Sequence, residues 1–369
     1  MTEIIDLEAV FLTEMPLIDT RAPTEYARGS VPSAVNLPIM NDSEREAIGT
    51  RYKQHGSDAA IRLGHQLVSG EKRSERIAQW ERFATAHPHG ALFCFRGGMR
   101  SQIAQQWLLE QGIHYPRIEG GYKRMRSWLS ARTEALLTST PLLLLGGQTG
   151  VAKTRVLTEG YNGDPIPGSI DLEGLANHRG SAFGKRVSEQ PTQISFELAL
   201  GVELLKRHQS LAQQFIVEDE GHLIGRCALP QPLLAARKRA DWVQLEASLE
   251  DRVQHSYENY ILSNLQELEA SYGDPEIAFE RFASDLSDAM HRIHKRLGGQ
   301  RHKAISLQLS DAIASHGKGQ PEGHKTWIER LLVEYYDPMY AYQLAKRDTP
   351  PIFRGTAPEV VNYLLEQAT

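Results

Sequence analysis

At 369 residues, the chain is long enough for two domains. Its 41% hydrophobic and 24% charged residues are those of a water-soluble globular protein and exclude a low-complexity chain. A net charge of −5 excludes a generally basic nucleic-acid binder but leaves room for a local basic face.

Two cysteines, Cys94 and Cys227, do not make a disulfide framework and suit a reducing cytoplasm. The opening MTEIIDLEAV is acidic, with no basic n-region, so no signal peptide is expected. No apolar run approaches the ~20 residues that span a bilayer, so no membrane partner is expected.

Pro16-Leu17-Ile18-Asp19-Thr20-Arg21 starts as an apolar strand and ends in charge. Pro32 and Pro38 break any long helix, which predicts a strand, a short helix and a loop. Ser43-Glu44-Arg45-Glu46 reads as a capping box, and a charge-laced helical stretch runs from it to about Ala86. Ala91-Leu92-Phe93 is a second short strand, delivering Cys94 into Phe95-Arg96-Gly97-Gly98-Met99-Arg100-Ser101 and a following helix. A cysteine at a strand end, before a glycine-containing loop and a helix, is placed to be a reactive thiolate. Arg96 and Arg100 are placed to hold an anion over its sulfur.

These residues carry a resemblance. Leu17 to Arg21, Glu25-Tyr26, Gly29-Ser30, Pro32, Ala34 and Asn36-Leu37-Pro38 resemble the opening of a rhodanese domain. Cys94 falls where that family carries its sulfur-transferring cysteine, and Glu119-Gly120-Gly121-Tyr122 resembles the segment after the next strand. The resemblance implies an α/β fold with a central parallel sheet and an active loop at a strand's C-terminal end. The loop is C-x5-R, one residue longer than the usual sulfurtransferase loop and equal to that of cysteine phosphatases. Spacing alone leaves phosphatase and chalcogen transfer both open.

Lys123, Arg124, Arg126 and Arg132 lie on a basic helix ending near Thr138, and the boundary is expected at Ser139-Thr140-Pro141. Leu142 to Leu145 form a buried strand. Gly147-Gln148-Thr149-Gly150-Val151-Ala152-Lys153-Thr154 then has the layout of a phosphate-binding loop, G-x-x-x-x-G-K-[ST], with Ala152 in place of the second glycine. Loop amides, the helix start and Lys153 would cradle phosphates, and Thr154 would ligate magnesium. A methyl group at Ala152 is expected to be tolerable only if that residue keeps a helical backbone angle.

Ile170-Asp171 ends another strand and leads into LEGLANHRGSAFG. Asp171, Glu173, Asn177, His178 and Arg179 crowd nine residues, which predicts a ligand loop. Gln193 to Arg207 reads as a helix. Phe215-Ile216-Val217 is a strand ending in Glu218-Asp219-Glu220, acids placed to hold magnesium beside the phosphates; Asp219 is the candidate ligand with Thr154. Cys227 reads as structural. From about Ala247 the chain reads as nearly all helix, with Trp327, Tyr335 and Tyr336 as core aromatics. The expected fold class is α/β, a rhodanese-like parallel-sheet domain (1–138) followed by a P-loop domain (139–246) and a mostly helical C-terminal region (247–369).

Long segments extend the resemblance to the whole chain. They include GTRYKQHGSDAAIRLGHQLV, Cys94 to Ser101, DLEGLANHRGSAFG, Glu218 to Gly225 and YYDPMYAYQL. Together they are similar to the tRNA 2-selenouridine synthases. The resemblance implies a tRNA with wobble 2-thiouridine as substrate and selenophosphate and geranyl diphosphate as co-substrates. It further implies an S-geranyl intermediate and, as a candidate partner, an enzyme supplying selenophosphate. On that reading Cys94 handles selenium, Arg96 and Arg100 hold the donor's phosphate, and the 147–154 loop holds a diphosphate. An acidic protein must still grip tRNA. The expected basic strip is Lys72-Arg73-Arg76, Lys123-Arg124-Arg126 and Arg237-Lys238-Arg239. The rival reading is a cysteine phosphatase or sulfurtransferase fused to a P-loop NTPase.

Overall fold

The computed structural model describes residues 3–160, 162–210, 213–347 and 349–368. The chain forms two compact units, Met1–Ala135 with Thr192–Lys206, and Leu136–Pro191 with Arg207–Thr369. The segment 192–206, which the sequence reading left with the second region, thus groups with the first unit. There the Ser30 amide donates to Ser195 Oγ at 3.1 Å.

The first unit is built on five short strands: β1 (Glu3–Ile4), β2 (Leu17–Asp19), β3 (Ala34–Asn36), β4 (Ala91–Phe93) and β5 (Arg117–Ile118). Their order is β1-β5-β4-β2-β3, and every neighbouring pair is parallel. The central strands β2 and β4 are buried throughout, as their unbroken apolar runs require. From β2 the chain moves to one side of the sheet and from β4 to the other. Their C-terminal ends therefore flank the switch point where α/β sheets bind ligands.

Around the sheet, Trp80 stacks on Trp107 with centroids 6.1 Å apart. The helical stretch after β3 is two helices, Asp42–Leu67 and Gly70–Ala86. Its cap lies two residues upstream of the expected Ser43, at Asn41. The Glu44 amide donates to Asn41 Oδ1 and the Asn41 amide to Glu44 Oε2, both at 2.9 Å. Gly56, at φ 77° and ψ −173°, kinks the first helix.

The second unit carries another parallel sheet: β6 (Leu142–Gly147), β7 (Ser169–Ile170), β8 (Phe215–Glu218), β11 (Asp241–Leu245) and β12 (Phe353–Gly355), in the order β12-β11-β6-β8-β7. A small hairpin, β9 (Leu223–Ile224) with β10 (Cys227–Ala228), lies outside it. Strand β6 is central and buried over its whole length. Strand β12 is the one strand within the mostly helical C-terminal region among the described residues. Three residues beyond Pro350-Pro351 pair in parallel with β11, Val243 opposite Phe353, and Ala357–Ala368 covers them with Val360 and Leu364.

The other helices pack on a core that includes Tyr257, Phe282, Leu286, Trp327 and Leu331. The helical stretch read from Ala247 onward is interrupted by π-turns at Glu258–Leu262 and Leu332–Tyr336. Among the described residues, no helix is long and apolar enough to cross a membrane.

Candidate functional site

Two loops gather the chemistry, one in each unit. In the first, Cys94 leaves β4 with its thiol buried, Sγ 3.2 Å from Ser101 Oγ and 3.8 Å from the Gly98 carbonyl. The loop is braced from behind by Gly120-Gly121. The amides of Tyr122 and Lys123 donate to the carbonyls of Cys94 and Phe95, both at 2.9 Å. Only glycine fits at Gly121: φ is +56°, and a Cβ there would sit 2.2 Å from the Cys94 carbonyl oxygen.

Beside Cys94, at the end of β2, Asp19 and Arg21 form a buried pair, Arg21 Nη2 to Asp19 Oδ2 at 2.6 Å. Burial pushes the Asp19 carboxyl up, against the opposing pull of Arg21. Arg21 also donates to the Gly29 carbonyl at 2.9 Å, and its guanidinium lies 3.7 Å from the Tyr122 ring centroid. That pair fixes the β2 end next to the thiol.

Over the thiol opens a cavity of about 760 Å³. Arg21, Arg28, Arg45, Arg96, Arg100 and Arg126 line it, against one carboxylate, Glu25. Arg100 Nη1 holds Glu25 Oε2 at 2.5 Å. Burial pushes Glu25 up, but Arg100 outweighs it and the carboxyl lies below its usual range. Arg100 is thus anchored by a carboxylate that sequence reasoning treated only as motif, whereas Arg96 is exposed at the cavity rim. The basin sets guanidiniums around a buried thiol, chemistry that suits a small polyanion.

In the second unit, the 147–154 loop runs from β6 into Lys153–Glu159. Gly150, at φ +89°, passes so near its neighbour that a Cβ would sit 2.9 Å from the Arg252 carbonyl. Ala152 does not keep a right-handed helical angle. It lies at φ 63°, ψ 40°, the left-handed region a glycine would occupy, so the loop keeps its geometry and bears the strain. Lys153 Nζ reaches the Gly147 carbonyl at 3.4 Å.

The acids around the loop are closer than expected and differently paired. Thr154 Oγ1 is 3.3 Å from Glu173 Oε2. Both oxygens of Asp219, the expected metal ligand, are held by arginines, Arg237 at 2.9 Å and Arg347. Burial and the neighbouring Glu220 push Glu173 up to about 8. Burial, with Asp171 and Glu173, pushes Glu218 well above its usual range, and its Oε1 is buried without a hydrogen bond. Burial also raises Asp171, which caps the short helix that follows by accepting from the Gly174 amide at 2.7 Å. Among the described residues, no group of three or more His, Cys, Asp or Glu side chains has metal-holding geometry. The oxygens of Thr154 and Glu173 are the hard donors a magnesium ion would meet first.

The expected ligand loop is largely spoken for. Asn177 Nδ2 donates to Ser188 Oγ at 2.8 Å and to neighbouring carbonyls. Arg179 is buried and bonded to Asn259, Asn264 and Glu267, with Glu267 at 2.6 Å. Burial and the charges of Arg292, Arg179 and Arg186 pull His178 down to about 4. Asn177 and Arg179 thus shape the wall, leaving Glu173 as the loop's acid nearest Thr154.

Sequence reasoning missed Arg252. Its Nε donates to the Thr149 carbonyl at 2.9 Å, and its Nη2 pairs with Asp337 at 2.5 Å, so a buried cation pins the loop's tip. It also missed the π-turns. Tyr260 from one and Tyr336 from the other line the loop's cavity of about 750 Å³, where such turns often serve sites.

Most of the expected basic strip is already paired. Lys72 and Arg76 share Glu44, Arg73 holds Glu110 at 2.5 Å, Arg124 holds Glu119 at 2.7 Å, and Arg237 holds Asp219. Arg126 lines the Cys94 cavity instead.

Residues 140–369 match the family model described as the tRNA 2-selenouridine synthase AAA domain. Relatives named tRNA 2-selenouridine synthase match nearly end to end. One from Hahella chejuensis is 50% identical, covering 98% of this chain and 93% of its own. One from Pseudomonas fluorescens Pf0-1 is 47% identical, covering 99% and 98%. One from Bordetella bronchiseptica is 46% identical, covering 97% and 96%.

Proposed function

The chain belongs to the tRNA 2-selenouridine synthase family, and from that premise we propose that it is a tRNA-modifying transferase. It replaces the sulfur of wobble 2-thiouridine by selenium in two steps, each served by one of the two loops. The observation that carries this division is the pair of dissimilar anion cavities. One has a buried thiol among arginines, the other the Lys153 loop among side chains of both signs, carboxylates and arginines.

In the first step the thiouridine sulfur attacks the first carbon of geranyl diphosphate. The carbon–oxygen bond breaks, the diphosphate leaves with its electron pair, and the base loses its N3 proton. Lys153 and the amides of Gln148 to Lys153 stabilise the departing charge in this unit's cavity. A magnesium ion, held by Thr154 and Glu173, would neutralise the same charge.

Alkylation makes C2 electrophilic and turns its sulfur into a leaving thiol. In the second step the selenium of selenophosphate adds at C2, the C2–S bond breaks and geranylthiol departs with the selenol proton. Water then cleaves the P–Se bond, releasing phosphate and leaving 2-selenouridine with its N3 proton restored. The first unit, read as rhodanese-like, would hold selenophosphate by its phosphate with Arg100, Arg96 and Arg126, its selenium toward Cys94. A selenophosphate-supplying enzyme is the natural partner, and on this reading the work is done in the cytoplasm, where tRNA is.

The test is mass spectrometry of nucleosides from thiolated tRNA incubated first with geranyl diphosphate, then with selenophosphate. An S-geranyl nucleoside followed by 2-selenouridine is expected. Unchanged 2-thiouridine beside an active control enzyme would refute the reading. Binding of tRNA should weaken steeply between low and moderate salt, as phosphate contacts require.

A further inference from the structure

A second, larger cavity of about 1000 Å³ adjoins the Cys94 basin within the first unit. Its walls are chiefly apolar: Ile48 and Ile61 of Asp42–Leu67, Ile39 and Met40 before that helix, and Ile103 and Trp107 of Met99–Glu110. The long helix is unusual. Of its 26 residues only Glu44 and Ala60 are buried; Leu67 packs on the core around Trp80 and Trp107, while Ile48 and Ile61 line the groove.

Glu25, Arg45, Tyr52, Met99 and Arg100 line both cavities. At that common wall Tyr52 is 60% and Met99 45% exposed, two large apolar side chains left open where the spaces meet. The combined space is apolar at one end and densely cationic at the other, with a thiol at the cationic end. Its complement is a molecule with a long hydrocarbon tail and an anionic head.

We propose that this groove receives the geranyl chain of the S-geranyl nucleoside and so holds the base's C2 over Cys94. The inference rests on the two-step reading above and adds to it where the intermediate binds for the second step. The tail lies between the kinked helix and Met99–Glu110, while the flanking RNA phosphates meet Arg45 and the other arginines. Apolar burial of the tail makes the geranyl group a recognition element as well as an activator. A nucleoside with a short S-alkyl group is equally electrophilic but lacks the anchor.

The test uses the full-length protein and anticodon stem-loop RNAs carrying S-geranyl- or S-methyl-2-thiouridine, with selenophosphate, following 2-selenouridine by mass spectrometry. The wild-type protein should favour the geranyl substrate in kcat/KM by roughly 100-fold. Ile61→Trp, which fills the groove, should raise KM for the geranyl substrate about tenfold and move kcat little. Ile48→Asp, on the half-exposed part of the helix, gives a second variant, and thermal melts check that both fold.

Equal wild-type rates on the two substrates, or variants that slow both equally while melting normally, would overturn the proposal. Loss of the chain-length preference only after a co-purifying protein is stripped would assign the groove to a protein partner and overturn it too. Failure of the wild-type protein to make 2-selenouridine from either RNA would instead strike the two-step reading, and the inference with it.

Discussion

The two loops share a plan and differ in their surroundings. Each follows a central buried parallel strand, turns through glycines and enters a helix. Around Cys94 the cavity wall carries six guanidiniums and one carboxylate. Around Lys153 the wall carries both signs, Asp171, Glu173, Asp219 and Glu220 beside Arg155, Arg179, Arg186 and Arg296, and burial raises the carboxyls of Asp171, Glu173 and Glu220. The first basin takes an anion as it stands. The second sets Lys153 and four arginines against its acids, so protonating those acids, or bridging them with a divalent cation, favours a diphosphate there. On the proposed function, the first site would take a small donor anion and the second a departing diphosphate.

The sharpest way to break this comparison is to remove each loop's key group in turn. Lys153→Ala should slow geranylation by about 100- to 1000-fold, the usual loss when a charge-stabilising donor goes. Cys94→Ala should abolish selenation and leave geranylation within about twofold. Nucleoside mass spectrometry reads both products from one reaction, and equal loss of both in either variant would mean one shared site.

Next in size is the brace behind the phosphate loop. Arg252 is 4% exposed and Asp337 25%. Arg252→Ala leaves that carboxylate and the Thr149 carbonyl without their donor. A loss of about 3 kcal/mol in unfolding free energy is expected, the low end for a broken buried pair because Asp337 keeps some contact with water. Denaturant unfolding measures it. Behind Cys94 the guanidinium of Arg117 donates to the Gly97 carbonyl and pairs with Glu3, beside the backbone bonds from Tyr122 and Lys123.

A gentler comparison uses pH. Burial and Glu220 hold Glu173 up to about 8, so at pH 7 it is largely neutral beside Lys153. As pH rises through about 8 it ionises, and metal-free diphosphate should bind more weakly, by at most about tenfold per pH unit. In stability terms the raised carboxyl contributes below its unfolded value, and that contribution is lost as pH rises through the folded one. The Cys94 basin should hold thiophosphate almost unchanged from pH 7 to 9 as far as its guanidiniums are concerned, since they do not titrate there. Titration calorimetry of both anions tests the contrast, and a flat diphosphate profile would remove the acids from the site.

What was readable in advance follows the same division. Strands β2, β4, β6 and β8 are short apolar runs, and both loops carry their glycines and reactive groups in one local segment. Local patterns of that kind survive folding. The ends of Arg252 and Asp337 meet across 85 residues, and nothing local marks either as a partner of the loop. Strand β12 is three residues, too short for a period to register. The π-turns are invisible because one extra residue in a helical turn leaves the apolar spacing almost unchanged. Lys72, Arg73 and Arg76 lie close together in sequence, while the acids that pair with them, Glu44 and Glu110, come from elsewhere in the chain, so the pairing within the expected basic strip is not legible locally.

The smallest effect lies inside the phosphate loop itself. Ala152 holds a left-handed conformation that brings its Cβ against its own carbonyl and costs about 1–2 kcal/mol. Ala152→Gly removes that strain, but glycine gives back roughly 0.5–1 kcal/mol through the larger freedom of the unfolded chain. The net should be a stabilisation of less than about 1 kcal/mol, read as a small rise in melting temperature. Diphosphate affinity should stay within about twofold, because the backbone amides already point as a glycine would set them. If affinity drops while stability rises, the methyl group is restricting the empty loop to its binding shape. Ala152 would then be a preorganising residue rather than a tolerated departure from the glycine pattern.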